Sequence, residues 1–380
     1  MSGCLGLPLL LTLTLAPLPH AAPGAVRMDA ARLDKIDGVV RDALEHHQCP
    51  GAVVVIVHCG KIVFRRAYGL RCVQPTEVPM TPDTVFDLAS LTKPLATAAS
   101  VMVLVEQHRL KLTDSVARYW PEFGACGKGQ ITIEQLLLHT SGLTPDNPVG
   151  DYRQGRKRAL ERIAELAPAA PAGKRFVYSD VNYIVLGELV VRISGQRLDR
   201  FAAYHIYAPL ALHDTTFLPT DATRQRAAPT ERRDGKWLVG TVHDPRAALL
   251  GGVAGHAGLF STADDVAVLA QMFLNGGEYA GHRVLKKATV LLMTTPHEVP
   301  RGFRARGWDV QTSFSSNRGS FGFGGYGHTG FTGTSLWIDP ATQTAVIILT
   351  NRVHPNGKGD VRRLRNRIAT IAAESVNTAH

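Results

Sequence analysis

The chain has 380 residues, which is enough for one large domain or two small ones with a substantial core. Hydrophobic residues make up 45% and charged residues 19% of it, which excludes a disordered, collagen-like or polytopic membrane protein. The formal net charge is +10, but the basic residues are scattered along the sequence and do not form one basic stripe. We therefore expect no nucleic-acid partner.

The first residues have the pattern of an export signal. Leu9–Ala16 is an apolar run too short to span a bilayer, and prolines and small residues follow it up to residue 25. A basic segment before the run, which such signals usually carry, is missing. We expect a signal peptide over residues 1–24, a periplasmic or secreted protein, and a mature chain over 25–380 without a transmembrane segment. The spacing of the later cysteines fits neither a zinc site nor a disulfide framework.

The folded part opens with an amphipathic helix and a β-hairpin. The helix is expected over residues 28–47, and the hairpin over 52–58 and 62–67. The apolar face of the helix consists of Leu33, Ile36, Val40 and Leu44.

A second hairpin, over residues 335–339 and 344–350, and a helix over 360–375 are expected at the other end. The sequence between the two ends has mostly helical periodicity, with two expected N-terminal capping pairs. These pairs are Thr132 with Gln135 and Ser261 with Asp264. The pattern predicts one α/β domain with an antiparallel sheet built from both chain ends. The sheet part would cover about 25–92 and 300–380, and a helical insertion about 93–299.

The first chemical motif is Ser90-Leu91-Thr92-Lys93. Ser90 could simply cap the helix that follows, but that interpretation leaves Lys93 unexplained, because a cation in the first turn opposes the helix dipole. One helical turn places the two side chains on the same face. A lysine withdrawn from water loses its proton more easily and could accept the proton of the serine.

Two further motifs are weaker when each is taken alone. Tyr178-Ser179-Asp180 could be a helix entry with Ser179 as the cap, or it could hold a phenol that relays protons. His328-Thr329-Gly330 could be a plain loop beside a strand, or it could present backbone N–H groups to an acyl oxygen. A G-x-G-x-x-G match over residues 322–327 lies outside any βαβ unit, so dinucleotide binding is rejected.

Together, in this order, the motifs make the chain resemble the penicillin-recognising serine hydrolases of the class C β-lactamase type. That group includes DD-peptidases, D-aminopeptidases and family VIII esterases. Within it, the chain most resembles periplasmic penicillin-binding-protein-like hydrolases. The resemblance extends from about residue 27 to the C-terminus. The segments that carry it, besides the three motifs, are 81–94, 112–123, 131–143 and 251–267.

The resemblance implies a role for each motif residue. Ser90 would be the acylated nucleophile, and Lys93 and Tyr178 would share the role of general base, with Tyr178 protonating the leaving group. The backbone N–H groups of Ser90 and Phe331 would form the oxyanion hole, beside a substrate-binding set. That set is Asp180, His328, Thr329, Gly330 and Phe331. No metal or cofactor is implied.

Two departures from the β-lactamase pattern bear on the substrate. Asp180 stands where those enzymes usually carry Asn, and His328 stands where they carry Lys, which weakens the fixed positive charge for a substrate carboxylate. Both disfavour a proficient β-lactamase and leave a carboxypeptidase or endopeptidase acting on D-amino-acid peptides of the cell wall, or an esterase acting on neutral acyl groups. The resemblance favours the peptidase, because the esterases often replace the third motif by an aromatic one and this chain retains His328-Thr329-Gly330. An esterase and a class C-type β-lactamase remain alternatives, and the oligomeric state does not follow from these motifs.

Other classes of protein fit the sequence less well. A non-catalytic binding protein is disfavoured by the intact Ser90, Lys93 and Tyr178. A Ser-His-Asp hydrolase would need a G-x-S-x-G elbow, which the sequence lacks. A metal hydrolase would need histidines at ligand spacing, and the histidines here do not have it.

Overall fold

The computed structural model describes residue 15 and residues 17–376. At its centre lies a nine-stranded sheet with the order β10-β11-β12-β13-β14-β15-β1-β2-β3, in which every neighbouring pair is antiparallel. The strands are β1 Gly51–His58, β2 Lys61–Cys72, β3 Val78–Pro79, β4 Phe86–Asp87, β5 Arg232–Arg233, β6 Lys236–Trp237, β7 Phe260–Ser261, β8 Glu278–Tyr279, β9 His282–Arg283, β10 His297–Val299, β11 Gly302–Ala305, β12 Trp308–Gln311, β13 Tyr326–Thr329, β14 Ser335–Asp339 and β15 Thr344–Thr350.

Helices occupy most of the chain between β3 and β10. Two short helical segments, Ala89–Leu91 and Lys93–Ala98, lead directly into α3. The α-helices are α1 Ala30–Leu33, α2 Lys35–Glu45, α3 Ala99–Glu106, α4 Ile133–Leu137, α5 Arg156–Glu165, α6 Asp180–Ser194, α7 Leu198–Ala202, α8 Asp221–Gln225, α9 Pro245–Leu249, α10 Ala263–Leu274, α11 Lys287–Thr294 and α12 Arg362–Ser375.

Both faces of the sheet are buried. Side chains alternate along β1, so that Val53 and Val55 pack into the core beneath α3, α6 and α10, while Val54 and Ile56 pack against α1, α2 and α12. This explains why β1 is an unbroken apolar run and not a polar–apolar alternation. The predicted α/β architecture, with an antiparallel sheet from both chain ends, is confirmed.

Both expected hairpins are present, as β1–β2 and as β14–β15. Two local predictions were wrong in detail. The first helix is divided at Asp34, which ends α1 and precedes α2. The second capping pair is shifted by one residue: Thr262 caps α10 by accepting from the Asp265 backbone N–H, while Ser261 belongs to β7. The capping box of Thr132 and Gln135 is present.

The expected signal peptide lies largely outside the described residues, which include only 15 and 17–24 of it. Those that are described contact the domain. Leu18 is buried, the Ala21 N–H donates to the Ile62 carbonyl at 3.0 Å, and the Ile62 N–H donates to the Pro19 carbonyl at 2.9 Å. Across the described part of the chain, no helix has the length and apolar character needed to cross a membrane.

These contacts make the retention of residues 17–24 testable. In protein with an intact N-terminus, Leu18→Ala should lower the free energy of unfolding by about 2–3 kcal/mol, because a buried leucine is removed. The measurement is urea unfolding followed by circular dichroism. Leu218→Ala, at a leucine that is 46% exposed, is the matched control and should change stability little. Equal stability of the two variants would show that this segment does not pack on the domain.

Candidate active site

A strained turn presents Ser90. Ala89, the residue before it, has a φ of +47°, in the left-handed region that costs an alanine about 1 kcal/mol. The carboxylate of Asp87 holds this turn, since one oxygen accepts from the Ala89 N–H at 2.8 Å and the other from the His243 N–H at 2.7 Å. Burial raises the pKa of Asp87. The hydrogen bonds of Asp87, at the end of β4, therefore hold the strained turn in place.

Lys93 lies directly beneath Ser90. Its ammonium donates to Ser90 Oγ at 3.0 Å and to the carbonyl of His256 at 2.9 Å, and its side chain is completely buried. Ser90 lies inside the short helical segment Ala89–Leu91, whose N-cap is Leu88. The interpretation of Ser90 as a simple helix cap is therefore not supported, and the expected pairing of Ser90 with Lys93 is present in the geometry.

The charge state of Lys93 differs from our expectation. Burial alone lowers the pKa of Lys93, as expected, but Asp180 Oδ1 lies 2.7 Å from Nζ. The negative charge of Asp180, together with Tyr178, more than offsets the desolvation and raises the pKa of Lys93 above its ordinary value. Lys93 is consequently a cation at neutral pH and does not readily accept a proton.

Tyr178 stands at the entrance of α6. Ser179 caps this helix by accepting from the Asn182 N–H, and Gly195 ends it in a left-handed conformation, as the sequence predicts. The Tyr178 ring lies 5.0 Å from Lys93 Nζ. The helix entry therefore brings both Tyr178 and Asp180 close to the same ammonium.

A histidine that the sequence analysis did not single out positions Tyr178. The ring of His139 lies 4.5 Å from that of Tyr178 and 5.0 Å from that of Tyr183, and its Nδ1 accepts from the Ser179 N–H at 3.0 Å. Phe314 covers the phenol at 5.0 Å. His139 was present only as part of the segment 131–143, where nothing in its spacing pointed to a contact 39 residues away.

The segment His328–Phe331 ends β13 and continues into a loop packed against the serine turn. Gly330 fits there because a Cβ would lie 2.1 Å from Thr334 Oγ1 and 2.5 Å from the Leu88 carbonyl oxygen. Thr334 Oγ1 in turn donates to that carbonyl at 2.9 Å. The small size of Gly330 thus serves the contact with the residues before Ser90.

His328 is a neutral side chain at neutral pH. Its side chain is buried, and burial lowers its pKa well below the ordinary value, helped by the nearby charges of Arg304 and Lys93. Its Nδ1 contacts the Thr329 carbonyl at 2.9 Å, and its Nε2 has no hydrogen-bond partner among the described residues.

Two cavities of opposite charge meet at Ser90, Tyr178 and Phe331. The first, of about 400 Å³, also contains His328, Thr329 and Gly330, and we call it the arginine pocket. The second, of about 320 Å³, is the aspartate pocket. The arginine pocket is named for Arg304, Arg352, Arg362 and Arg365, and the aspartate pocket for Asp146, Asp180 and Asp244.

Phe331 forms the wall between the two pockets. It is 59% exposed, its ring stacks on that of His243 with 5.4 Å between the centroids, and the Arg352 guanidinium lies 4.5 Å from the centroid of the Phe331 ring. No local pattern in the sequence pointed to His243 or Arg352, because each comes close to Phe331 only when distant segments of the chain meet in the fold.

One group of residues in the aspartate pocket has the donor set of a metal site. Ligand atoms of Asp180, Asp244 and His256 lie within 4.8 Å of one another. The Lys93 ammonium, however, already occupies the position next to Asp180. A divalent ion would lie close to a buried positive charge, so the residues do not fit a metal well.

The burial of neutral His328 predicts a pH dependence of stability. The unfolded chain takes up a proton near pH about 6.5, whereas folded His328 does not, so stability should fall below that pH by up to about 1.4 kcal/mol per unit for this group. His328→Asn should reduce this slope, and His108→Asn, at an exposed residue, should not. The measurement is urea unfolding between about pH 7.5 and about pH 5. Parallel curves for His328→Asn and the parent would contradict a neutral, buried His328.

The chain is similar to known proteins over most of its length. The family model described as Beta-lactamase matches residues 36–371. The chain is 36% identical to the N-acetylmuramyl-L-alanine amidase of Bacillus subtilis (strain 168), covering 80% of this chain and 78% of the relative. It is 32% identical to an Escherichia coli (strain K12) protein named as a candidate D-alanyl-D-alanine carboxypeptidase, covering 89% and 86%.

The fold has known counterparts as well. A class C β-lactamase superposes with a TM-score of 0.75 at 20% identity, covering 95% of this chain and all of that one. At this identity the likeness concerns the fold alone. The family match and the curated relatives go further: the chain belongs to the β-lactamase family of serine hydrolases.

Proposed function

We propose that the protein forms an acyl-enzyme on Ser90 and cleaves amides of D-amino-acid peptides from the cell wall, as a DD-carboxypeptidase or endopeptidase. The observation that carries the proposal is the 3.0 Å contact of Lys93 with Ser90 Oγ, beside a pocket whose buried Arg304 and Arg365 keep guanidinium nitrogens without a hydrogen-bond partner among the described residues. The contact supports an activated serine. The pocket supports a leaving group that bears a carboxylate.

The steps follow from the charge of Lys93. Since Lys93 is cationic, we assign the role of proton acceptor to the phenolate oxygen of Tyr178, whose ring lies 5.0 Å from Lys93 Nζ. Ser90 Oγ transfers its proton to the phenolate oxygen and attacks the carbonyl carbon. The backbone N–H groups of Ser90 and Phe331 donate to the resulting oxyanion.

Collapse of this intermediate breaks the carbon–nitrogen bond and leaves an ester on Ser90. The Tyr178 hydroxyl gives its proton to the departing amine, which regenerates the phenolate. A water molecule then attacks the ester, with Tyr178 accepting its proton and returning it to Ser90 Oγ. Throughout, Lys93 stabilises negative charge on the serine oxygen.

The arginine pocket would bind the carboxylate of the leaving group. Arg304 is completely buried and pairs with Asp309 at 3.3 Å, but its Nε and one Nη have no hydrogen-bond partner among the described residues. Burial and the neighbouring Arg352 lower the pKa of Arg365 to about 9, which still leaves it charged at neutral pH. A carboxylate would pair with these donors and relieve the repulsion between the cations. This pocket replaces the role that we had considered for His328.

A second candidate is cleavage of an N-acetylmuramyl-L-alanine amide, because the Bacillus subtilis relative carries that name at 36% identity. There too the departing amino acid bears a carboxylate, so both substrates fit the arginine pocket. An esterase acting on neutral groups would leave the arginines without a role. A proficient β-lactamase is disfavoured by Asp180 in place of Asn and His328 in place of Lys.

The role of Arg304 gives a direct test with two peptides. The parent should hydrolyse an N-acetylated D-alanyl-D-alanine peptide acid much faster than the corresponding C-terminal amide. Arg304→Gln should lower kcat/KM for the acid by about tenfold or more, while its effect on the amide should be small. Arg304→Lys, which keeps the positive charge, should retain part of the preference.

Ser90→Ala serves as the control that fixes the nucleophile and should hydrolyse neither peptide. Equal rates for acid and amide in the parent would contradict the leaving-group assignment. Cleavage of N-acetylmuramyl-L-alanine in the absence of cleavage of the peptide acid would select the second candidate.

A further inference from the structure

We propose that the aspartate pocket binds a primary ammonium group carried by the acyl part of the substrate. The inference rests on the proposed acyl-enzyme at Ser90, and it adds a substrate feature that the arginine pocket does not define. In a cell-wall peptide, such an ammonium belongs to the side chain of a basic amino acid or to a free peptide N-terminus.

The position of the pocket assigns it to the acyl side. Both pockets share Ser90, Tyr178 and Phe331, so they lie on the two sides of the bond that Ser90 would attack. The arginine pocket takes the carboxylate of the leaving group. The aspartate pocket is therefore left for the part of the substrate that stays on the serine.

The pocket has more negative than positive charge. Three carboxylates line it, and the cations that face them are the ammonium of Lys93 beside Asp180 and the guanidinium of Arg246, which lies 3.5 Å from Asp146. His243, which also lines the pocket, is bonded to Glu231 at 2.5 Å. Burial and the charge of Asp180 raise the pKa of Asp146, as expected where carboxylates repel one another.

An acceptor is also available beside the carboxylates. His256 is only 1% exposed and lines the same pocket, and its Nε2 lies 2.8 Å from Asp244 Oδ1. Because Asp244 Oδ1 accepts a hydrogen bond from Nε2, the neutral tautomer of His256 that this contact favours carries its lone pair on Nδ1. Among the described residues this buried Nδ1 has no hydrogen-bond partner. An unpaired acceptor in a pocket of excess negative charge suits a donor cation.

A primary ammonium fits these groups better than a divalent metal ion. It carries one positive charge and three hydrogen-bond donors, which match two carboxylates and one imidazole nitrogen. A divalent ion bound by Asp180 would lie next to the Lys93 ammonium, where the repulsion between the two cations is strong. The excess of carboxylates over cations is also too small to balance two charges.

The test uses two activated esters that share one neutral leaving group, so that the arginine pocket plays no part. These are the nitrophenyl esters of ω-aminohexanoic acid and of its N-acetyl derivative. The parent should be acylated faster by the ammonium ester. Asp146→Asn should reduce the ratio of the two kcat/KM values by about fivefold or more, and Asp146→Lys should invert it.

Asp234→Asn is the matched control. It makes the same chemical change at an exposed turn residue whose φ is +50°, a conformation that asparagine adopts readily. Its ratio should equal that of the parent. Equal rates for the two esters in the parent, or the same ratio in Asp146→Asn and the control, would overturn the ammonium site while leaving the acyl-enzyme intact. Failure of both esters to acylate Ser90 would overturn the proposed function and this inference with it.

Discussion

A buried ammonium that must be paired is the interaction on which this site depends. Lys93 has no contact with water, and an unpaired charge in such a place would cost several kcal/mol. Asp180 and the His256 carbonyl supply the partners, and the fold has to bring both to the ammonium. Gly255 shows how closely its loop packs on α6, because a Cβ there would lie 1.9 Å from the Tyr183 carbonyl oxygen of that helix. The start of α6 and the loop that contains Gly255 and His256 are thus packed together around the Lys93 ammonium.

The ionisable groups around Lys93 differ in their charge. His139 and His328 are both buried, and the pKa of each lies well below its ordinary value, so they border the ammonium without adding to its charge. Charged groups line the two pockets, with arginines in one pocket at Ser90 and aspartates in the other. A substrate with a carboxylate on its leaving group and an ammonium on its acyl part would match this division. The nucleophile itself then works between two pockets of opposite sign.

Local patterns in the sequence predicted both hairpins and the cap of α6, since hairpins and helix caps depend on residues close in the chain. The β14–β15 hairpin and the Ser179 cap are examples. What local patterns could not supply was the charge of Lys93. A lysine near a serine is expected to lose its proton, and only the approach of Asp180, 87 residues later, reverses that expectation. The arginine pocket could not be predicted for the same reason, because its arginines come from separate segments of the chain.

The central claim is that Asp180 keeps Lys93 positively charged while Tyr178 accepts the proton of Ser90. The most direct measurement is the rate of Ser90 acylation by a nitrophenyl ester, followed by mass spectrometry from about pH 6 to about pH 11, in the parent and in Asp180→Asn. Without the carboxylate, desolvation lowers the pKa of Lys93, so the account predicts that acylation in the variant declines at lower pH than in the parent. Acylation that instead accelerates in the variant as Lys93 loses its proton would identify Lys93 as the base and contradict the account.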